Sequence, residues 1–211
     1  MEKVSTAVEY FILAGPQAAG KSTLGKYICS TDSSVISLQE SRQLVIHNST
    51  KKGAIFMTDL DELEVIHYDM TRMFTILGQD RLDRCYLDET NVFTLGHARA
   101  HGIDLLEGYF RQYCDLLRKF KTGLIFIDIP PSVSWERRRH RYAQRLWDFS
   151  DEAKEQTMVR YKTYLDRLYP ELLSIYDRLD FPKIKIDGTL SPDNTAREAS
   201  EAVLALRRTG I

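Results

Sequence analysis

The chain has 211 residues, 43% hydrophobic and 28% charged, with a formal net charge of -1. This is the balance of a globular protein with a sizeable core, and its neutrality gives no bulk electrostatic reason for nucleic acid or an anionic membrane as partner. The separated cysteines Cys29, Cys85 and Cys114 form neither a disulfide framework nor a zinc spacing, the N-terminus has no signal-peptide core, and no apolar run approaches the ~20 residues of a membrane span, so a soluble cytoplasmic protein, one domain over residues 1–211, is expected.

Short apolar runs alternate with longer amphipathic stretches, the pattern of an α/β protein with a parallel sheet. Tyr10 to Ala14 reads as a strand and residues 22–29 as the helix after it. Val35 to Leu38 is a second strand, and Ser41 to His47 a short helix. Thr58 opens a long helix with Asp61 as its capping-box partner. In it Leu60, Leu63, Ile66, Met70, Met73, Phe74 and Leu77 recur at helical spacing, and Gly78 closes it. Cys85 to Leu87 is a third strand ending at Asp88, and Ile103 to Phe120 reads as one helix. Leu124 to Ile129 is a fourth strand, stopped by Pro130-Pro131, with Ser132 placed to cap the next helix. Helices over 151–168 and 170–178, a strand from Lys183 to Ile186 and a helix from Ser191 to Arg207 complete the chain. Five strands separated by helices predict a doubly wound five-stranded parallel sheet.

Between the first strand and first helix lies Gly15-Pro16-Gln17-Ala18-Ala19-Gly20-Lys21-Ser22, a match to GxxxxGK[ST] in its required strand–loop–helix setting. Glycines permit a loop whose N–H groups converge on an anion, and the helix that follows adds the positive end of its dipole. The segment, with Thr23 next to it, is therefore expected to cradle the phosphates of ATP. Lys21 belongs beside the β- and γ-phosphates, and Ser22 offers a hydroxyl to Mg²⁺.

Two acids, Asp88-Glu89, end the third strand. A carboxylate there sits beside the cradle, and Asp88 is the expected Mg²⁺ partner; Glu89 is placed to share that role or to polarise an attacking water. The plainer alternative is an acidic turn. Glu40, after the second strand, can take a proton from an attacking hydroxyl, or can be an exposed acid opening the next helix. Beyond the fourth strand Arg137, Arg138, Arg139, Arg141 and Arg145 fall within nine residues. Arg137, Arg138, Arg141 and Arg145 share one side of a helix, which suits a lid over about 132–150 closing on transferring phosphates; a solvated basic face and a nucleic-acid patch are the alternatives. Arg72, on the third helix, is a candidate to reach a substrate, with a surface arginine as the plainer reading, and the five histidines read as surface or edge residues.

The chain resembles the P-loop nucleoside and nucleotide kinases, chiefly the deoxynucleoside and thymidylate kinase group. The resemblance rests on the cradle, Glu40, Asp88-Glu89-Thr90, the strand Phe126-Ile127-Asp128-Ile129-Pro130, the arginine lid and Tyr164-Leu165-Asp166-Arg167-Leu168. It implies strand order 2-3-1-4-5, Glu40 as base toward a sugar hydroxyl, and Asp187-Gly188-Thr189 beside the adenine. The family's acid-Arg-Ser motif is matched at its first and third positions, with Glu89 where the family has arginine. An ATP-dependent phosphotransferase acting on a small acceptor, a nucleoside or nucleotide, is the leading reading, with Lys21, Glu40, Asp88, Arg137 and Arg141 as catalytic groups and Arg138 and Arg145 on the nucleotide. An ATPase using Asp88-Glu89 and a nucleic-acid-end kinase stay open as alternatives. The chain lacks the NKxD and DxxG segments of GTPases and an LSGGQ-like signature. A homodimer is compatible with all of these readings.

Overall fold

The computed structural model describes residues 8–48, 58–79 and 84–208; the N-terminal segment 1–4, expected to carry no signal-peptide core, lies outside them. The elements in chain order are β1 (Glu9–Ala14), α1 (Lys21–Thr31), β2 (Val35–Leu38), α2 (Ser41–Asn48), α3 (Asp59–Leu77), β3 (Cys85–Glu89), a 3₁₀ turn (Asn91–Phe93), α4 (Thr94–Ala100), α5 (Leu106–Leu117), β4 (Lys121–Asp128), α6 (Pro131–Arg145), α7 (Asp151–Arg178), β5 (Lys183–Asp187) and α8 (Pro192–Arg208). All strand pairings are parallel, in the order β2-β3-β1-β4-β5.

Alternation along the central strands divides the core between the two faces of the sheet. Tyr10, Ile12 and Ala14 of β1, with Leu124 and Phe126 of β4, join the cluster built from α3, α4, α5 and α7. Phe11 and Leu13, with Ile125 and Ile127, join the opposite cluster, covered by α1 and α8. The carboxyl ends of β1, β2 and β3 therefore gather at one edge, where an open α/β sheet carries its ligand crevice.

Local signals hold at several ends. Thr58 and Asp61 form the reciprocal capping box at the start of α3, and Gly78 is its C-cap. Ser150 caps α7 by accepting from the Ala153 N–H. Elsewhere the structure departs from expectation. Ser132 does not cap α6: the helix begins one residue earlier, with Pro131 at its first position, where the missing N–H costs nothing. The expected break near Pro170 is absent, and α7 runs unbroken for 28 residues with Pro170 inside it. Leu165 and Leu168 before the proline and Leu172 and Ile175 after it are all buried in one cluster, and that packing offsets the lost hydrogen bond. The helix expected from Ile103 starts at Leu106, and α4 with its 3₁₀ turn lies where no element was expected.

The long helix α3 also turns a different face inward. Leu60 and Phe74 are 75% and 60% exposed, while Glu62 and Asp69 are buried among Val65, Ile66, Met73 and Ile76. Two carboxylates seven residues apart occupy core positions, and both are partnered there.

Candidate active site

The loop from Gly15 to Gly20 is shaped by packing against β4. Gly15 has φ +143°, and a Cβ added there would lie 2.4 Å from the Ile127 carbonyl oxygen. Only glycine meets both conditions. Gly20, at φ +96°, turns the chain into α1, and Ala18 also takes a left-handed conformation, φ +60°. Lys21, at the first position of α1, is buried and lays its ammonium across the loop, donating to the carbonyls of Gly15 at 2.9 Å and Pro16 at 3.1 Å. Burial lowers its pKa, while the charges of Glu40 and Glu89 act to raise it.

Among the strand-end acids, the two neighbours on β3 point opposite ways, as strand alternation requires. Glu89 accepts a hydrogen bond from the Ser22 hydroxyl at 2.7 Å. Burial raises its pKa, which the Ser22 hydrogen bond counters. Asp88, the acid expected to face the cradle, is wholly buried on the other side. It accepts from the Tyr10 hydroxyl, from Asn91 Nδ2 at 2.8 Å and from the guanidinium of Arg72. Burial raises its pKa, against the pull of Arg72. The carboxylate beside the P-loop serine is thus Glu89, one residue later than the motif reading had it, and Thr90 follows it where that reading had Glu89 follow Asp88.

Thr90 reaches back across the cleft. Its backbone is held at φ +81° and that of Asn91 at φ +40°, and its hydroxyl donates to Glu40 Oε1 at 3.2 Å. Glu40 also accepts from Gln43 Nε2 at 2.8 Å. Glu40, Glu89 and Lys21 form one electrostatic group, since both carboxylates act on the Lys21 ammonium.

The arginines divide by role. Arg137 donates to two backbone carbonyls, Gly188 at 2.9 Å and Ala18 at 3.3 Å, joining the cradle to the turn after β5. That turn packs so closely that a Cβ on Gly188 would lie 2.5 Å from Ile127 Cγ2. Arg138 lies over the Tyr142 ring at 5.7 Å, acts on Lys21 as a like charge, and leaves its buried Nε without a hydrogen-bond partner. Arg141 and Arg145 are exposed. α6 is fastened to the cradle from both halves: near its amino end Ser134 Oγ donates to the Gln17 carbonyl at 2.6 Å, and near its carboxyl end the Tyr142 hydroxyl donates to the Gln17 side chain. Tyr142 in turn stacks on Tyr161 at 3.7 Å. An open cavity of about 350 Å³ lies along Ser132, Val133, Glu136 and Arg137.

Several groups here escaped the sequence reading. Arg42 makes a bidentate ion pair with Glu62, both buried. His97, read as a surface or edge residue, is buried with Nδ1 at 2.6 Å from the Tyr164 hydroxyl and Nε2 unpartnered; burial, then the charges of Arg42 and Lys21, hold it neutral, well below the usual histidine range. His101 stacks on Tyr164 at 4.4 Å. Arg72, for which a surface position was the plainer reading, is 13% exposed and bonded through both terminal nitrogens, with its buried Nε left without a hydrogen-bond partner. The acids at positions 62 and 69 of an otherwise apolar face were the available signal.

No protein-family model matches the sequence, and no curated protein matches it. Solved structures do. The deoxyadenosine kinase of M. mycoides with bound dATP superposes with a TM-score of 0.64 over 92% of this chain and 98% of that one, at 13% identity. The same enzyme with products dCMP and dCDP gives 0.60 over 93% and 99%, at 11% identity. The YorR protein of Bacillus subtilis, in complex with phosphorylated GDP, gives 0.56 over 94% and 95%, at 14% identity. With the strand order and the phosphate loop already described, these likenesses show that the chain has a P-loop fold of the deoxynucleoside kinase type.

Proposed function

We propose that the protein is an ATP-dependent phosphotransferase that moves the γ-phosphoryl group of ATP to a nucleoside or nucleotide. The observation that carries this reading is a glycine-bounded loop with the Lys21 ammonium laid across it, Ser22 bonded to Glu89, and Glu40 bonded to Thr90, the residue after Glu89. In this reading Glu89, on Ser22, serves the metal while Glu40 faces the acceptor.

In this reading the cradle and Lys21 hold the triphosphate, and the adenine lies near the Gly188 turn and the cavity beside Arg137. Glu40 takes the proton from the acceptor hydroxyl as its oxygen bonds to the γ-phosphorus. The bond from phosphorus to the β,γ-bridging oxygen breaks, and ADP leaves. Base assistance of this kind contributes typically 10²–10⁴-fold. Lys21 and Arg138 offset the charge that spreads over the transferring oxygens. In this reading Arg141 and Arg145, on the carboxyl half of α6, join them as the segment over 132–150 closes and excludes water. Arg137 acts by fixing the cradle to the turn at Gly188.

Ser22 and Glu89 form an all-oxygen pair of the hard type that suits Mg²⁺, and they are the residues that would hold it. When bound, the ion neutralises charge on the β- and γ-phosphates. Asp88 is taken up by Tyr10, Asn91 and Arg72, so it is free neither for that role nor to polarise a water.

Leu60, Phe74 and Leu77 are exposed apolar residues of α3, and a homodimer in this reading buries them. The catalytic reading is tested by Glu40→Gln. The variant should bind ATP as the wild type does and lose at least about 10²-fold in label transfer from γ-labelled ATP to a nucleoside or nucleotide pool. Unchanged transfer would remove Glu40 from the mechanism, and label found only in inorganic phosphate would remove the acceptor.

A further inference from the structure

The two acids assigned to the reaction stand at the ends of neighbouring strands, β2 and β3, and each follows a residue bound by the same side chain. Arg72 Nη1 donates to the carbonyl oxygen of Gln39, the residue before Glu40, at 2.7 Å. Its Nη2 donates to Asp88, the residue before Glu89, and to Asp69 at 3.1 Å. Leu38 and Asp88 are register partners in the sheet, so the guanidinium closes the gap where the two strands end. Its anchors are themselves fixed. Ser41, just past Glu40, donates to Asp69, which also accepts from Tyr113 at 3.1 Å, and Asn91 and Tyr10 hold Asp88.

We propose that Arg72 is a positioning residue for the phosphoryl-transfer site, a planar clamp that sets the spacing and direction of Glu40 and Glu89 by holding the backbone before one and the side chain before the other. This role rests on the function proposed above. It uses the property that separates arginine from lysine, a rigid fork of donors reaching several acceptors at once. Each of the two clamped segments carries one direct contact into the cleft, Ser22 to Glu89 and Thr90 to Glu40, so a shift of either end moves a reacting group. Thr90 and Asn91, at positive φ immediately after Glu89, are the backbone that such a shift would release first.

The test is Arg72→Lys, which keeps the charge and loses the fork. Two readouts are taken at a temperature where circular dichroism shows the variant folded: kcat and both KM values with the best acceptor from a deoxynucleoside panel, and the Mg²⁺ dependence of ADP binding, which needs no acceptor. The expected result is a kcat at least about tenfold lower with the KM for ATP within about twofold, since misplacement of about 1 Å is worth up to 10²-fold. The Mg²⁺ concentration for half-maximal ADP binding should rise several-fold, with metal-free ADP binding unchanged. Wild-type kcat and wild-type Mg²⁺ dependence in the variant would overturn the proposal. If the wild type transfers phosphate to no acceptor, the proposed function falls, and a shifted Mg²⁺ dependence would still show Arg72 placing Glu89. Should Arg72→Lys not fold, Asp88→Asn, which weakens one anchor and leaves Arg72 on Gln39, carries the same two expectations.

Discussion

Replacing Glu89 by Gln separates the two acids of β3 most sharply. Glu89 Oε2 accepts from Ser22 at 2.7 Å and the residue is only 6% exposed. An amide preserves the shape and the hydrogen bond and removes the charge. At an effective dielectric of about 20, a unit charge acting on another at ~4 Å is worth ~4 kcal/mol. Rearranging water recovers part of this, and about 2.7 kcal/mol left uncompensated corresponds to a rate loss of about 10²-fold at saturating ATP. Asp88→Asn should cost about tenfold, through positioning alone. The assay is kcat against Mg²⁺ concentration for both variants. Glu89→Gln should lose most of its Mg²⁺ activation, and Asp88→Asn should keep it with a shifted midpoint. Equal losses in the two variants, or a larger one in Asp88→Asn, would refute the assignment of Glu89 to the metal.

Gly15→Ala should abolish ATP binding, because the new Cβ would sit 2.4 Å from the Ile127 carbonyl, whereas Gly20→Ala meets no neighbour within 4 Å and strains only the backbone at φ +96°, so it should weaken binding less; fluorescent-nucleotide titration compares the two. Burial, then the Asp88 charge, pushes Asp69 up to about 7 from its ordinary 3.8. The folded state then binds more protons than the unfolded one between about pH 4 and 7, so this group's contribution to stability falls as pH rises through that window and levels off above it. The difference between the wild-type and Asp69→Asn stability curves from urea melts should show that slope; parallel curves would remove Asp69 as its source. Phe74→Glu, at an exposed apolar position of α3, should shift sedimentation toward a monomer, and an unchanged mass would exclude that face as the dimer contact.

Much of the architecture was legible because its signals are local. The phosphate loop combines a short motif with the strand before it and the helix after it, and the capping box at Thr58 and Asp61 works within four residues. The strands were found from compact apolar runs. The site was harder to read because its decisive contacts join distant segments: Ser22 to Glu89, Thr90 to Glu40, and Arg72 to Gln39 and Asp88. The choice between Asp88 and Glu89 depends on which residue of a fully buried five-residue strand faces the loop, and hydrophobic alternation is silent when both faces of a sheet are covered. The inner face of α3 was misassigned for a related reason. Its buried acids, Glu62 and Asp69, carry the residue types of a surface, and only their partners Arg42, Ser41, Arg72 and Tyr113 make them core. Pro170 shows the reverse case, where tertiary packing keeps a helix continuous through a residue that locally favours a break.

The central claim is transfer of phosphate to an acceptor, and its most direct test is the rate of ADP formation by the wild-type protein with ATP and Mg²⁺, measured with and without a panel of deoxynucleosides and their monophosphates. The account predicts slow ADP formation alone, an increase of at least about 10²-fold with a suitable acceptor, and one phosphorylated product for each ADP released. Rapid ADP formation without any acceptor, unchanged across the whole panel, would contradict it.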